Sequence, residues 1–97
     1  MHLITIEESL KHITESFRLL GYDMSTKRLA VCAAFFHLTQ PLDAETFWLQ
    51  LKERGLEVSR AQVYNTLKLL VNHGFAKKLK EEDSRQHVYQ PQPPQIS

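Results

Sequence analysis

The sequence predicts a mainly α-helical fold, three to four helices followed by a small two-stranded β hairpin, and three observations carry that prediction. Apolar residues recur at helical spacing in four segments. The segments are punctuated by capping residues ahead of them and by glycine or proline behind them. Past Gly74 the period changes, and two short strand-like runs flank a polar turn.

The elements follow in order. Thr5 and Glu8 have the spacing of a capping box, in which each side chain satisfies an orphan backbone donor of the first turn. Ile6, Leu10, Ile13, Phe17 and Leu20 then define a helix over residues 6–20, and Gly21 stops it. Ser25 or Thr26 caps a second helix, with Leu29, Cys32, Ala33 and Phe36 on its buried stripe and an end near Leu38. Asp43 caps a third, where Ala44, Phe47, Trp48 and Leu51 share a face and Gly55 closes it. Ser59 opens a fourth, and Gln62 completes its capping box. Val63, Leu67, Leu70 and Val71 form its buried stripe, up to Gly74.

Residues 75–80 and 86–89 read as strands joined through the polar turn 81–85. Helices three and four, joined by Gly55 to Val58, have the proportions of a helix-turn-helix, and a hairpin directly after the second helix makes the winged variant. Residues 1–90 are thus read as one winged helix-turn-helix unit. Residues 91–97, with three prolines, are read as a disordered Pro/Gln-rich tail.

Composition sets bounds. Ninety-seven residues, 42% apolar and 24% charged, suit one globular unit. No apolar run approaches the roughly 20 residues that span a bilayer, and the first residues lack the pattern of a signal peptide. The expectation is a cytoplasmic protein without a membrane partner. The one cysteine, Cys32, lies in an apolar helical run and reads as a small buried hydrophobe. The net charge of +1 says little, but its distribution says more. From Val58 to Lys80 there are five bases and no acid, the pattern of one face prepared for an anionic partner.

The fourth helix carries the candidate chemistry. With Leu67 at the centre of the buried face and about 100° per residue, Ala61, Gln62, Asn65, Lys68, Leu69 and Asn72 fall on the exposed side, with Tyr64 on its flank. In a helix-turn-helix the N-terminal part of the second helix reaches base edges in the major groove of DNA. Gln62 and Asn65 each offer a donor and an acceptor, which suits adenine. Ala61 and Tyr64 suit a thymine methyl, Arg60 a phosphate or guanine, and Ser59 exposes N–H groups at a positive helix end. Lys77, Lys78 and Lys80 in the wing, and Lys27 and Arg28 opening helix two, suit backbone phosphates. Plainer readings stand beside these: Tyr64 as a packed ring, Gln62 as a cap only, and the lysines as solvated charges.

The run from Ser59 to Leu70, followed by Gly74-Phe75, resembles the Ala-Thr-Val-Tyr-Arg-Thr-Leu recognition helix of the ferric uptake regulator family. Thr26 to Val31 is similar to that family's second-helix segment, and Pro41 to Phe47 to the stretch opening its third helix. The resemblance implies a double-stranded DNA partner, a repressor-like regulator acting as a dimer, and DNA contacts at Tyr64 and Arg28. Asn65 stands where the family has an arginine, as in its peroxide-sensing branch, so its base preference is left open.

Family members mostly sense metal through a second domain. Here the chain runs into Pro91 to Ser97, and that metal-sensing, dimerising half is expected to be absent. Gln40 occupies the place of a ligating histidine, and glutamine is a poor ligand for a transition metal. The histidines at 2, 12, 37, 73 and 87 form no ligand pair, although His37 lies near Gln40. The expectation is no metal, no cofactor and no small-molecule substrate. An enzyme is not expected either, because no nucleophile–base pair or paired carboxylates are evident. The competing expectation is a winged-helix module that docks on protein. Partners consistent with either reading are a second copy of the chain or a full-length family member, whose half-sites the chain would occupy.

Overall fold

The computed structural model describes residues 6–21, 25–80 and 87–92. Thr5, and with it the first capping box, lies outside the described residues, as do the wing turn 81–86 and residues 93–97. Four helices, α1 (Ile6–Leu19), α2 (Thr26–Phe36), α3 (Ala44–Glu53) and α4 (Arg60–Asn72), pack beside a small antiparallel sheet. The sheet comprises β1 (Leu42–Asp43), β2 (Ala76–Lys80) and β3 (His87–Pro91), in the order β1-β3-β2.

Side-chain caps start three of the helices. The Ser25 hydroxyl accepts from the Arg28 N–H at 3.2 Å, and the Asp43 carboxylate from the Thr46 N–H at 2.9 Å. At α4 the box is reciprocal: Ser59 Oγ accepts from the Gln62 N–H at 3.1 Å, and Gln62 Oε1 from the Ser59 N–H at 2.8 Å. Burial pushes the Asp43 carboxyl up, but the Thr46 hydroxyl and the nearby N–H groups outweigh it and hold the carboxyl below its usual value. Gly55 and Gly74 both stand at positive φ, 86° and 82°. In each case the next residue donates back, Leu56 to Leu51 O at 3.0 Å and Phe75 to Leu70 O at 2.8 Å. These bonds terminate α3 and α4 and turn the chain, which a left-handed residue does without strain only if it is glycine.

The core gathers Ile13 and Phe17 from α1, Val31, Cys32 and Phe35 from α2, and Phe47 and Leu51 from α3. Val63, Leu67 and Leu70 from α4 complete it, with Phe75 at the root of the wing. Burial pushes the Cys32 thiol up to about 12, against the opposing pull of the Arg28 charge, so it stays protonated at neutral pH. Among the described residues no helix is long and apolar enough to cross a membrane.

Three features depart from the sequence reading. The sheet has three strands rather than two, because Leu42 pairs with Tyr89 and Asp43 with Val88. A two-residue strand is too short to show an alternating pattern, and Asp43 is also the cap of α3. Second, β3 continues through Gln90 to Pro91, and Gln92 donates to Phe75 O at 2.9 Å. Pro91 is tolerated because β1 reaches only Val88 and Tyr89, so the strand has a neighbour on one side there. Third, Leu69 is half-buried against the core instead of facing the groove side. The helix is contacted by α2, α3 and β2 together, which covers more of its circumference than one stripe.

Candidate nucleic-acid interface

The outer face of α4 is polar along its length. Ala61, Gln62, Asn65, Lys68 and Asn72 are exposed, and Tyr64 is 43% exposed. Their inward neighbours Val63, Thr66, Leu67 and Leu70 are buried, so packing fixes the rotation of the helix about its axis. Thr66 is the buried polar member, and its hydroxyl donates to Gln62 O at 2.8 Å, which leaves no unmet polar atom.

Two clefts flank this face. One, of about 70 Å³, lies between the start of α2 and α4, where Lys27 and Arg28 stand beside Gln62 and Asn65. The other, of about 430 Å³, lies between α4 and the wing, where Tyr64, Asn65 and Lys68 face Lys78 and Tyr89. Asn65 borders both. Among the described residues their linings hold four cationic side chains, Lys27, Arg28, Lys68 and Lys78, and no carboxylate. That sign of charge beside exposed amides suits a polyanion that carries hydrogen-bonding groups.

The wing lysines do not all share this groove. Strand alternation puts Lys78 and Lys80 on the face of Tyr89, whereas Lys77 points to the other face with Leu79. The sequence reading grouped Lys77 with Lys78, and the register separates them. Tyr89 was not among the sequence candidates. It pairs with Lys78 across the strands, and burial pushes its phenol pKa up. A lone tyrosine in a strand carried no signal of its place beside α4 until the register was known.

Gln62 and Arg60 are engaged within the molecule. Gln62 spends its side-chain oxygen on the Ser59 N–H, so its amide NH₂ is the part left to meet a ligand. Arg60 forms an ion pair with Glu45 at 2.8 Å and stacks over the Trp48 ring at 4.7 Å from its centroid. Lys52 lies 5.3 Å from the same ring. The Trp48 indole N–H donates to Val58 O at 3.0 Å, which ties α3 to the turn before α4. Ser59 is exposed at the start of the helix, but its own N–H and that of Gln62 are taken by the capping box rather than left free as the sequence suggests.

Among the described residues no group of three or more His, Cys, Asp or Glu is placed to hold a metal ion. His37 is exposed at the C-cap of α2, and Gln40 is exposed in the loop beyond it. This donor set does not fit a transition-metal site.

A helix-turn-helix whose second helix is followed by an antiparallel sheet defines a winged-helix fold. The chain belongs to the ferric uptake regulator family, whose model matches residues 20–95. PerR from Streptococcus pyogenes, described as acting in peroxide sensing and gene regulation, is 25% identical with a TM-score of 0.76. That match covers 86% of this chain and 56% of the solved one. The Helicobacter pylori ferric uptake regulator Fur is 21% identical with a TM-score of 0.81, covering 99% of this chain and 64% of that one. Fur of Vibrio cholerae is 20% identical with a TM-score of 0.66, covering 81% and 60%. The chain therefore spans 56 to 64% of the length of these relatives. No curated protein matches the sequence.

Proposed function

We propose that this chain binds double-stranded DNA with sequence preference and acts in transcription regulation, as a repressor-like member of its family. The observation that carries the proposal is the polar outer face of α4 lying between two clefts lined by Lys27 and Arg28 on one side and by Lys68 and Lys78 on the other. In this reading Tyr64 and Asn65 meet base edges, with Ala61 and the Gln62 NH₂ beside them. Lys27 and Arg28 hold the backbone on one side, and Lys68 and Lys78 hold it on the other. The winged-helix relatives support the choice of partner, because PerR is described as acting in gene regulation and Fur of Vibrio cholerae as having DNA-binding domains. Docking on a protein would call for an apolar stripe along α4. Among the described residues the large exposed apolar side chains are Leu19, Leu20, Leu49 and Tyr64, and only the last lies on this helix.

A single winged helix reads about half of a two-fold site, so we propose pairing with a second copy or with a longer family member. The exposed Leu19 and Leu20 at the end of α1 are the surface we assign to that contact. Selection of bound duplexes from a random library, followed by sequencing, tests the function. An enriched palindrome is expected for a pairing regulator, and an asymmetric half-site for a monomer. No enrichment from folded protein, with no duplex binding at low salt, would replace the DNA reading with the protein-docking one.

The wing supplies a narrower prediction. Lys78→Ala is expected to weaken binding to every duplex alike and to lower the slope of log K against log salt by about 0.9. Lys77→Ala is expected to do less, because that side chain leaves from the opposite face of β2. Anisotropy titrations at several salt concentrations compare the two variants, and equal slopes would contradict the placement.

A further inference from the structure

We propose that Glu45 is an internal stand-in for a DNA phosphate: it holds Arg60 in the free protein and yields it to the duplex backbone on binding. This rests on the DNA reading and deepens it by naming a residue that limits affinity.

Three observations lead there. Arg60 is the first residue of α4, next to the Ser59 cap, where a backbone phosphate would approach a helix entering the major groove. Its guanidinium nevertheless meets a carboxylate of the preceding helix at 2.8 Å and lies over the Trp48 ring, 4.7 Å from its centroid. A carboxylate and a backbone phosphate each present two anionic oxygens that suit the guanidinium fork, so one can replace the other without Arg60 leaving its ring. The pair is also easily opened. The two side chains are 55% and 38% exposed, and ion pairs of that kind are weak in water. Glu45 sits in the first turn of α3, whose start the Asp43 cap fixes, so its backbone holds the carboxylate within reach of the start of α4.

The exchange makes Glu45 a competitor of the nucleic acid. Every duplex, whatever its sequence, must displace it, which lowers affinity for the excess of unrelated DNA. Sites whose bases satisfy Tyr64 and Asn65 recover that loss through contacts that unrelated duplexes lack.

The test is a double-mutant cycle on the full chain, read as affinity for a random-sequence duplex across a salt series. Glu45→Gln is expected to tighten binding by up to about fivefold, the upper end for an exposed pair. Arg60→Gln is expected to weaken binding and to lower the salt slope by about 0.9. With Arg60→Gln already present, Glu45→Gln should gain almost nothing. Glu53→Gln, which removes the same charge from the far end of the same helix, measures the general effect of net charge and should gain less than Glu45→Gln. Thermal melts check that each variant is folded. The chain has one tryptophan, so Trp48 emission reports on the ring directly and should change when duplex is added to the unaltered protein.

A Glu45→Gln gain that persists undiminished without Arg60 would mean simple repulsion and overturn the proposal. So would a salt slope untouched by Arg60→Gln while the unaltered chain binds. If the unaltered chain binds no duplex at low salt, the DNA reading itself falls and takes this proposal with it.

Discussion

Replacing Tyr64 and Asn65 by alanine is expected to cost a preferred duplex about 1–3 kcal/mol for each residue, while random duplex binding changes little. Tyr64 is 43% exposed and Asn65 is exposed between the two clefts, so neither truncation opens a cavity. Stability should therefore stay within about 0.5 kcal/mol of the unaltered chain. The residues are adjacent, and the double variant should fall short of the sum because both contribute to one contact surface. Competition between the preferred duplex and a scrambled one measures the effect. Equal losses on both duplexes would mean that this face holds DNA without reading it.

Phe17→Ala is expected to have the largest effect on stability, about 3–5 kcal/mol, against a total of about 5–15 for a domain of this kind. Phe17 is fully buried, with its ring edge-on to Phe75 at 6.0 Å and to His73 at 5.2 Å. It thereby joins α1 to the point where α4 gives way to the wing. Phe75 is held on both sides there, donating to Leu70 O and accepting from the Gln92 N–H. Loss of the ring should loosen the wing relative to α4 and weaken DNA binding beyond what the unfolded fraction explains. Urea unfolding followed by Trp48 fluorescence measures the stability change, and a cost below about 1 kcal/mol would show that the site collapses around the gap.

The helices were legible because their signals are local. Ser25, Asp43 and Ser59 accept bonds from residues three positions on, and Gly55 and Gly74 act on the turn beside them. The outer face of α4 was legible for the same reason, since helical period alone places Ala61, Gln62, Asn65 and Lys68 together. What escaped depends on contacts far apart in sequence. Arg60 meets Glu45 across 15 residues and Trp48 across the helix-turn-helix, so its place as an internally held charge could not be read from α4. Lys77 and Lys78 look equivalent until the pairing Lys78 with Tyr89 sets the register. The strand β1 was hidden because Asp43 already had a sufficient explanation as a helix cap.

The most direct test of a DNA-reading α4 is amide chemical-shift mapping while the duplex enriched from the random library is added. Shifts concentrated on residues 59–72, on the start of α2 at Lys27 and Arg28, and on the wing around Lys78 and Tyr89 are the predicted result. Shifts confined to the end of α1 at Leu19 and Leu20, with α4 silent, would contradict it.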